Sequence, residues 1–255
     1  MSALRKGSKV MERLASLANE KVKFWASLKE KKNRDQSGLF VIEDLHLIEE
    51  AKEKGYLEVL LVNEKERIPF SFPTTYLVAP SIIGKLSSTV SENKFLGIAR
   101  KPKPKGLGKR IIILDQIQDP GNVGTIIRLA LAFGFETVVF SSGCCDPYSS
   151  KTVRSTQGAL FSINLYENQD LVTIIKKLRS EKIKVYGTAL KKAEELDKFA
   201  PEKELALVFG NEGKGMREEI IKECDSLIKI PMNTFESLNV AVAAGIIAYH
   251  FRKNN

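Results

Sequence analysis

Three short segments hold the polar residues of this chain that could do chemistry. They are DPGNVGTIIRLALAFG (119–134), LVFGNEGKGM (207–216) and IPMNTFESLNVAVAAG (230–245). In the first, Asp119-Pro120-Gly121 turns the chain and Asn122 stands where a helix N-cap belongs. Arg128 follows one to two turns later, among Ile126, Ile127, Leu129 and Ala130. An arginine in so apolar a helix wants an anion, either a carboxylate or a phosphate. An internal salt bridge is the plain structural alternative. In the second segment, Glu212 sits between glycines, in a loop that Gly213 and Gly215 keep open to close backbone approach. In the third, Ser237 reads as the cap of the last helix, a role that Asn239 does not need to fill. Ala241, Ala243, Ala244 and Gly245 then make a thin helix suited to tight packing. Amides, one carboxylate, one hydroxyl and one guanidinium can orient a substrate and stabilise charge. Histidine chemistry is poorly supported, because the chain has only His46 and His250, and His250 reads as a last-turn residue of a helix.

The elements that must position these groups alternate in type. Nearly continuous apolar runs at 110–116, 137–140, 161–166, 183–188, 205–210 and 226–230 read as strands buried on both faces. Helical patterns fall between them, at 123–132, 150–158, 171–182 and 216–224, with a closing helix at 236–253. That alternation predicts an α/β fold with a mainly parallel sheet covered on both sides. All three segments then lie at strand ends, where open α/β sheets build sites.

Ahead of these elements, RKPKPKGLGK (100–109) has the prolines, glycines and basic residues of an exposed linker. Residues 1–105 form a separate small α/β domain in this reading, and 106–255 the larger one. The smaller domain is expected to hold a helix over 8–32, strands at 40–43, 57–62, 74–79 and 94–100, and a helix over 44–55. The charge is lopsided: residues 1–109 carry 21 Lys+Arg against 13 Asp+Glu, whereas 110–255 carry 19 against 18. The net charge of +9 therefore belongs almost wholly to the N-terminal part. An anionic partner follows, nucleic acid first, with a solvated lysine-rich surface as the bland reading. Cys144, Cys145 and Cys224 offer neither a disulfide framework nor a C-x-x-C zinc spacing, so they read as reduced thiols and no metal is expected. No apolar run approaches the ~18–20 residues of a membrane span, and the N-terminus lacks a signal-peptide pattern, so a cytoplasmic location is the expectation. The dinucleotide fingerprint G-x-G-x-x-G and the phosphate loop G-x-x-x-x-G-K-[ST] are both absent, which argues against a kinase-type enzyme.

Taken in this order, the three segments resemble the three motifs of the SpoU (TrmH-type) RNA ribose 2′-O-methyltransferases, within the knotted SPOUT class. The resemblance spans 110–255, including YSSKTVRSTQGAL (148–160). Residues 1–100 are similar to the substrate-binding domain often fused to these enzymes, itself like a small RNA-binding ribosomal protein. FVIEDLHLIEEA carries that likeness, with Asp44 where the pattern has glycine. The resemblance implies a deep trefoil knot near the C-terminus and a homodimer with its site near the subunit interface. It also implies an S-adenosylmethionine pocket built by the loops after Phe209 and Ile230. Gly210, Ile230 and Leu238 would touch that cofactor, with Glu212 and Met232 nearby. Asn122, Arg128, Glu212, Ser237 and Asn239 match the polar motif positions that act in catalysis. Met232-Asn233-Thr234-Phe235 departs from the family by lacking a glycine soon after the methionine. The substrate implied is structured RNA, ribosomal RNA ahead of transfer RNA. A catalytically silent RNA-binding protein of the same fold is the competing reading. Arg128 acts as a general base in one family proposal. A phosphate or a developing alkoxide suits an always-protonated guanidinium better.

Overall fold

The computed structural model describes residues 12–89, 93–233 and 237–253, arranged as two compact units, Met1–Lys101 and Pro102–Asn255.

In the first unit the elements run β1 (Glu12–Leu14), α1 (Glu20–Ser27), α2 (Lys31–Ser37), β2 (Leu39–Ile42), α3 (Leu45–Glu53), β3 (Leu57–Asn63), β4 (Thr75–Val78), α4 (Pro80–Leu86) and β5 (Phe95–Arg100). The sheet order is β1-β4-β3-β5-β2, with β5 antiparallel to both neighbours. The helix expected over 8–32 is not one helix. Residues 12–14 instead add an edge strand parallel to β4. Asn19 then starts α1 by accepting from the Lys21 N–H. The buried Arg34 holds the α1–α2 break by donating to the carbonyls of Leu28 and Lys29. Residues 1–11 lie outside the described part. Helix α4 was not anticipated; Pro80 opens it at a position where a missing N–H costs nothing. Asp44, where the family pattern has glycine, is the N-cap of α3.

The second unit runs β6 (Arg110–Asp115), α5 (Pro120–Ala132), β7 (Thr137–Ser141), α6 (Ser150–Thr156), β8 (Asn164–Gln169), α7 (Leu171–Ser180), β9 (Lys184–Thr188), β10 (Glu194–Glu195), β11 (Leu205–Gly210), α8 (Glu218–Glu223), β12 (Ser226–Lys229) and α9 (Val240–His250). Its seven strands are all parallel, in the order β10-β12-β9-β11-β6-β7-β8. Every strand therefore delivers its carboxyl end to the same edge. Ile111, Ile113, Ala206 and Val208 pack on α7 and α8 through Leu171, Ile175, Leu178 and Ile220. Ile112, Leu114, Leu207 and Phe209 alternate with them and face the other side, where α9 lies against β11 and α5 against β7. Both faces are thus covered, as the continuous apolar runs require.

Two boundaries differ from the sequence reading. The strand expected at 161–166 begins only at Asn164, because Gln157 and Gly158 take left-handed φ values of 49° and 89° and wind 159–161 into a 3₁₀ turn. The closing helix begins at Val240, since Asn239 caps it by accepting from the N–H groups of Ala241 and Val242. Ser237 is therefore not the cap, and Asn239 does have a capping role. Thr234, Phe235 and Glu236, which include half of the segment departing from the family pattern, lie outside the described residues. Among the described residues, no helix is long and apolar enough to cross a membrane, and no cluster of three His, Cys, Asp or Glu side chains could hold a metal.

Candidate active site

The site is assembled at the carboxyl edge of the parallel sheet by three loops. The first leaves β6. Asp119 caps α5, its Oδ1 accepting the Asn122 N–H at 2.8 Å, with Pro120 at the first helical turn. Capping is thus done by Asp119, not Asn122, and the Asn122 side-chain amide is left for other work. Its Nδ2 donates to Glu212 Oε1 at 3.0 Å, and its Oδ1 accepts from Asn239 Nδ2 at 3.0 Å. Asn239 Oδ1 in turn accepts from the start of α9, at 2.9 Å from Ala241 N and 3.3 Å from Val242 N. One continuous chain of hydrogen bonds, Glu212–Asn122–Asn239–α9, therefore ties all three loops together.

The second loop follows β11. Gly210 has no room for a β-carbon, which would stand 2.2 Å from Met216 N. The absence of that carbon lets the chain fold straight back, so that Asn211 and Gly215 exchange backbone hydrogen bonds at 2.9 and 3.0 Å. Gly215 takes the left-handed φ of 71° that closes the turn. Asn211 Oδ1 accepts from Gly213 N and Lys214 N, and its Nδ2 donates to the Gln116 carbonyl at 2.8 Å. Glu212 is exposed, and its donors are the neutral amides of Asn122 and, at 3.4 Å, Asn211. No cation neutralises it among the described residues, so its negative charge remains available at the edge.

The cofactor positions expected from the sequence fall along the same edge. Gly210 is the last residue of β11, paired with Asp115, and Ile230 directly follows β12. Met232 is half-buried and Leu238 is 38% exposed, a large apolar side chain left open to a ligand. Leu190, not singled out from the sequence, lies two residues beyond β9 and is 58% exposed. Strand β9 runs between β11 and β12, with Val208 opposite Gly187 and Ile228 opposite Thr188. That register carries residues 189 and 190 to the level of Gly210 and Ile230. A large apolar residue at the end of a central strand was the available signal. This edge, with a carboxylate lacking a cation and exposed Leu190 and Leu238, fits a cation attached to an apolar ring system.

Two of the polar positions stand apart from the hydrogen-bonded chain. Arg128 is exposed and makes no ion pair or hydrogen bond with any described residue, so the internal salt bridge is not formed. It lies on the outer side of α5, beside Leu129, whose side chain sits where a Gly245 β-carbon would meet it at 3.3 Å. Ser237 is exposed and likewise without a partner among the described residues. Helix α9, which packs on α5 with Gly245 against Leu129, presents an apolar side: Val242, Ile246 and Tyr249 are 52%, 40% and 54% exposed, at a spacing that puts them on one face.

The sequence profile of the SpoU rRNA Methylase family matches residues 109–249, and that of the MRM3-like substrate binding domain matches residues 19–108. A Bacillus subtilis protein named 23S rRNA (guanosine(2553)-2′-O)-methyltransferase RlmP is 36% identical over 248 residues, covering 95% of this chain and 100% of that protein. The 23S rRNA (guanosine-2′-O-)-methyltransferase RlmB of Nitrosomonas europaea is 33% identical over 147 residues, 57% of this chain and 56% of that one. In structure, the chain is similar to the AdoMet-bound rRNA methyltransferase of Sinorhizobium meliloti, with a TM-score of 0.81 and 26% identity over 94% of this chain and 97% of that chain.

Proposed function

Because the chain belongs to the SpoU rRNA Methylase family, we propose that it transfers a methyl group from S-adenosylmethionine to a ribose 2′-hydroxyl of ribosomal RNA. The observation that carries this reading is the Glu212–Asn122–Asn239 chain, which joins all three family motifs at one strand edge. Bound S-adenosylmethionine supplies a methyl already activated by the sulfonium charge. The 2′-oxygen takes the methyl, S-adenosylhomocysteine leaves and the hydroxyl proton passes to water, so the protein must align oxygen, methyl and sulfur, which is worth up to ~7–11 kcal/mol in favourable cases.

Each residue then has a part. Gly210, Ile230, Met232 and Leu238 line the cofactor pocket, with Leu190 adding apolar surface for the adenine. Glu212 places its uncompensated carboxylate where a sulfonium can lie. Asn122 fixes that carboxylate, and Asn239 fixes Asn122 while capping α9. Ser237 orients the ribose hydroxyl. Arg128 takes an RNA phosphate or the developing alkoxide.

The assembly that supports this is a homodimer. A monomer would leave Leu131, Val242, Ile246 and Tyr249 in water, and a row of that kind is what an interface covers. Arg128 then stands at the joint between subunits. The tight passage at Gly210 and the small residues of α9 suit a chain threaded as a trefoil knot. Residues 1–105 serve as the basic RNA-binding domain and 106–255 as the catalytic domain, in the cytoplasm where ribosomal RNA is modified.

Incubation of the purified protein with methyl-labelled donor and either ribosomal or transfer RNA tests the assignment. Label on a 2′-hydroxyl of ribosomal RNA is expected, and mapping it identifies the nucleotide. RNA binding without transfer to any RNA would favour the catalytically silent reading.

A further inference from the structure

One charge in the second unit has no part in the methyl transfer described above. Asp115 ends β6 and is fully buried. Its two oxygens go to one residue: Oδ2 accepts the Arg217 backbone N–H at 2.9 Å, and Oδ1 accepts Arg217 Nε at 2.8 Å. The next residue, Gln116, takes a left-handed φ of 59°, uncommon outside glycine. In that conformation its carbonyl accepts Asn211 Nδ2 at 2.8 Å. Residues 211 and 217 are the two ends of the loop after β11. Both ends are thus fastened to two consecutive residues, the last of β6 and the one that follows it. Between them the loop closes on itself through Asn211 and Gly215, and Glu212 reaches out to Asn122.

We propose that Asp115 is a positioning residue of the methyl-donor site, holding the 211–217 loop through Arg217 in the shape that delivers Glu212 to Asn122. The proposal rests on the methyltransferase reading for its function, and on geometry alone for the loop. A buried ion pair adds little net stability compared with apolar packing. What distinguishes this one is that the carboxylate takes the backbone of the loop as well as its side chain. Arg217 also reaches outward, Nη1 to Glu219 Oε1 at 2.7 Å, so the tie continues into the first turn of α8.

The test uses the full chain carrying Asp115→Asn, which keeps the shape but loses the charge and one acceptor. Hydrogen exchange in the free protein should quicken about tenfold at 211–217 while β6 and β7 keep their protection. The Kd for S-adenosylhomocysteine should rise about tenfold with RNA affinity unchanged. Arg217→Ala, which retains the backbone N–H, should show the same local change to a smaller degree. The double variant should be no worse than Asp115→Asn alone, because both act on one tie. Unaltered exchange at 211–217 in both single variants overturns the proposal. So does uniform acceleration across the whole sheet, which would make Asp115 a general stabiliser. If the unmodified protein does not bind S-adenosylhomocysteine but exchange responds locally, the methyltransferase reading fails and the loop-holding role is supported.

Discussion

Asn122 and Glu212, 90 residues apart in the chain, meet at 3.0 Å, amide nitrogen to carboxylate oxygen. The contact is half of a relay, since the other end of the same amide is held by Asn239. Asn122→Ala removes both bonds at once and leaves the Glu212 carboxylate to drift. Turnover should fall at least about tenfold. The cost in stability should be only about 1–3 kcal/mol, the usual net value of two accessible hydrogen bonds. Steady-state kinetics alongside urea unfolding would show the split; full activity would remove Asn122 from the site.

Arg128→Lys keeps the charge but loses the planar fork. Methyl transfer should drop about a hundredfold, which corresponds to roughly 2.7 kcal/mol of lost transition-state stabilisation. Cofactor binding should hold within about threefold, since Arg128 lies outside the hydrogen-bonded chain. Both are measurable on one purified variant, and near-normal turnover would end the role given to Arg128.

The exposed side of α9 is expected to join two subunits. Ile246→Glu places a charge in that row, which a dimer could bury only at several kcal/mol. Sedimentation should show the wild type as a dimer and the variant as a monomer with little activity. A variant that still sediments as a dimer would place the interface elsewhere.

Gly210→Ala should be far worse than Gly213→Ala. A β-carbon at 210 meets backbone at 2.2 Å, whereas at 213 the nearest atom is Asn211 Oδ1 at 3.8 Å. Forcing the first should cost at least ~1–3 kcal/mol and weaken S-adenosylhomocysteine binding, the second less than about 1 kcal/mol. Calorimetric melting of the two variants, with and without S-adenosylhomocysteine, gives both readings. Equal behaviour would mean the 211–217 turn is not set by that close passage.

Stability should fall at alkaline pH. Burial, with the carboxylate of Asp225 close by, pushes the Cys224 thiol up to about 12. Burial beside Glu202 likewise pushes the Tyr186 phenol up to about 12. Ordinary values are about 8.5 for a thiol and about 10 for a phenol. Both groups are held neutral in the folded state. Their contribution is complete below those ordinary values and is lost as pH climbs towards 12. Urea midpoints measured from pH 8 upward should decline, less steeply in Cys224→Ala. A flat profile would contradict the burial of both groups.

Most of the larger unit was legible, because continuous apolar runs such as Ile111–Ile113 and Leu205–Phe209 admit few readings other than buried parallel strands. The smaller unit was less so. Residues 12–14 carry no strand signal of their own and pair only because β4 offers an edge. At the candidate site, residue types pointed to three loops that the fold brings to one edge, but not to the hydrogen-bond partners within them. Asn122 and Ser237 each read as a cap, and only the fold decides that Asp119 caps the one helix and Asn239 the other. Asp115 was hidden inside an apolar run, where a lone charge acquires meaning only once Arg217 is seen against it.

Asn239 also begins the helix whose outer side is the row Val242, Ile246, Tyr249. The residue that steadies Asn122 is therefore the first residue of the surface expected to meet a second subunit. Two equilibria then share one side chain. If a ligand that tightens the Asn122–Asn239 bond favours association through that helix, association must favour the ligand by the same factor. Subunit dissociation measured with and without S-adenosylhomocysteine would read that factor directly, as a thermodynamic coupling carried by a single amide.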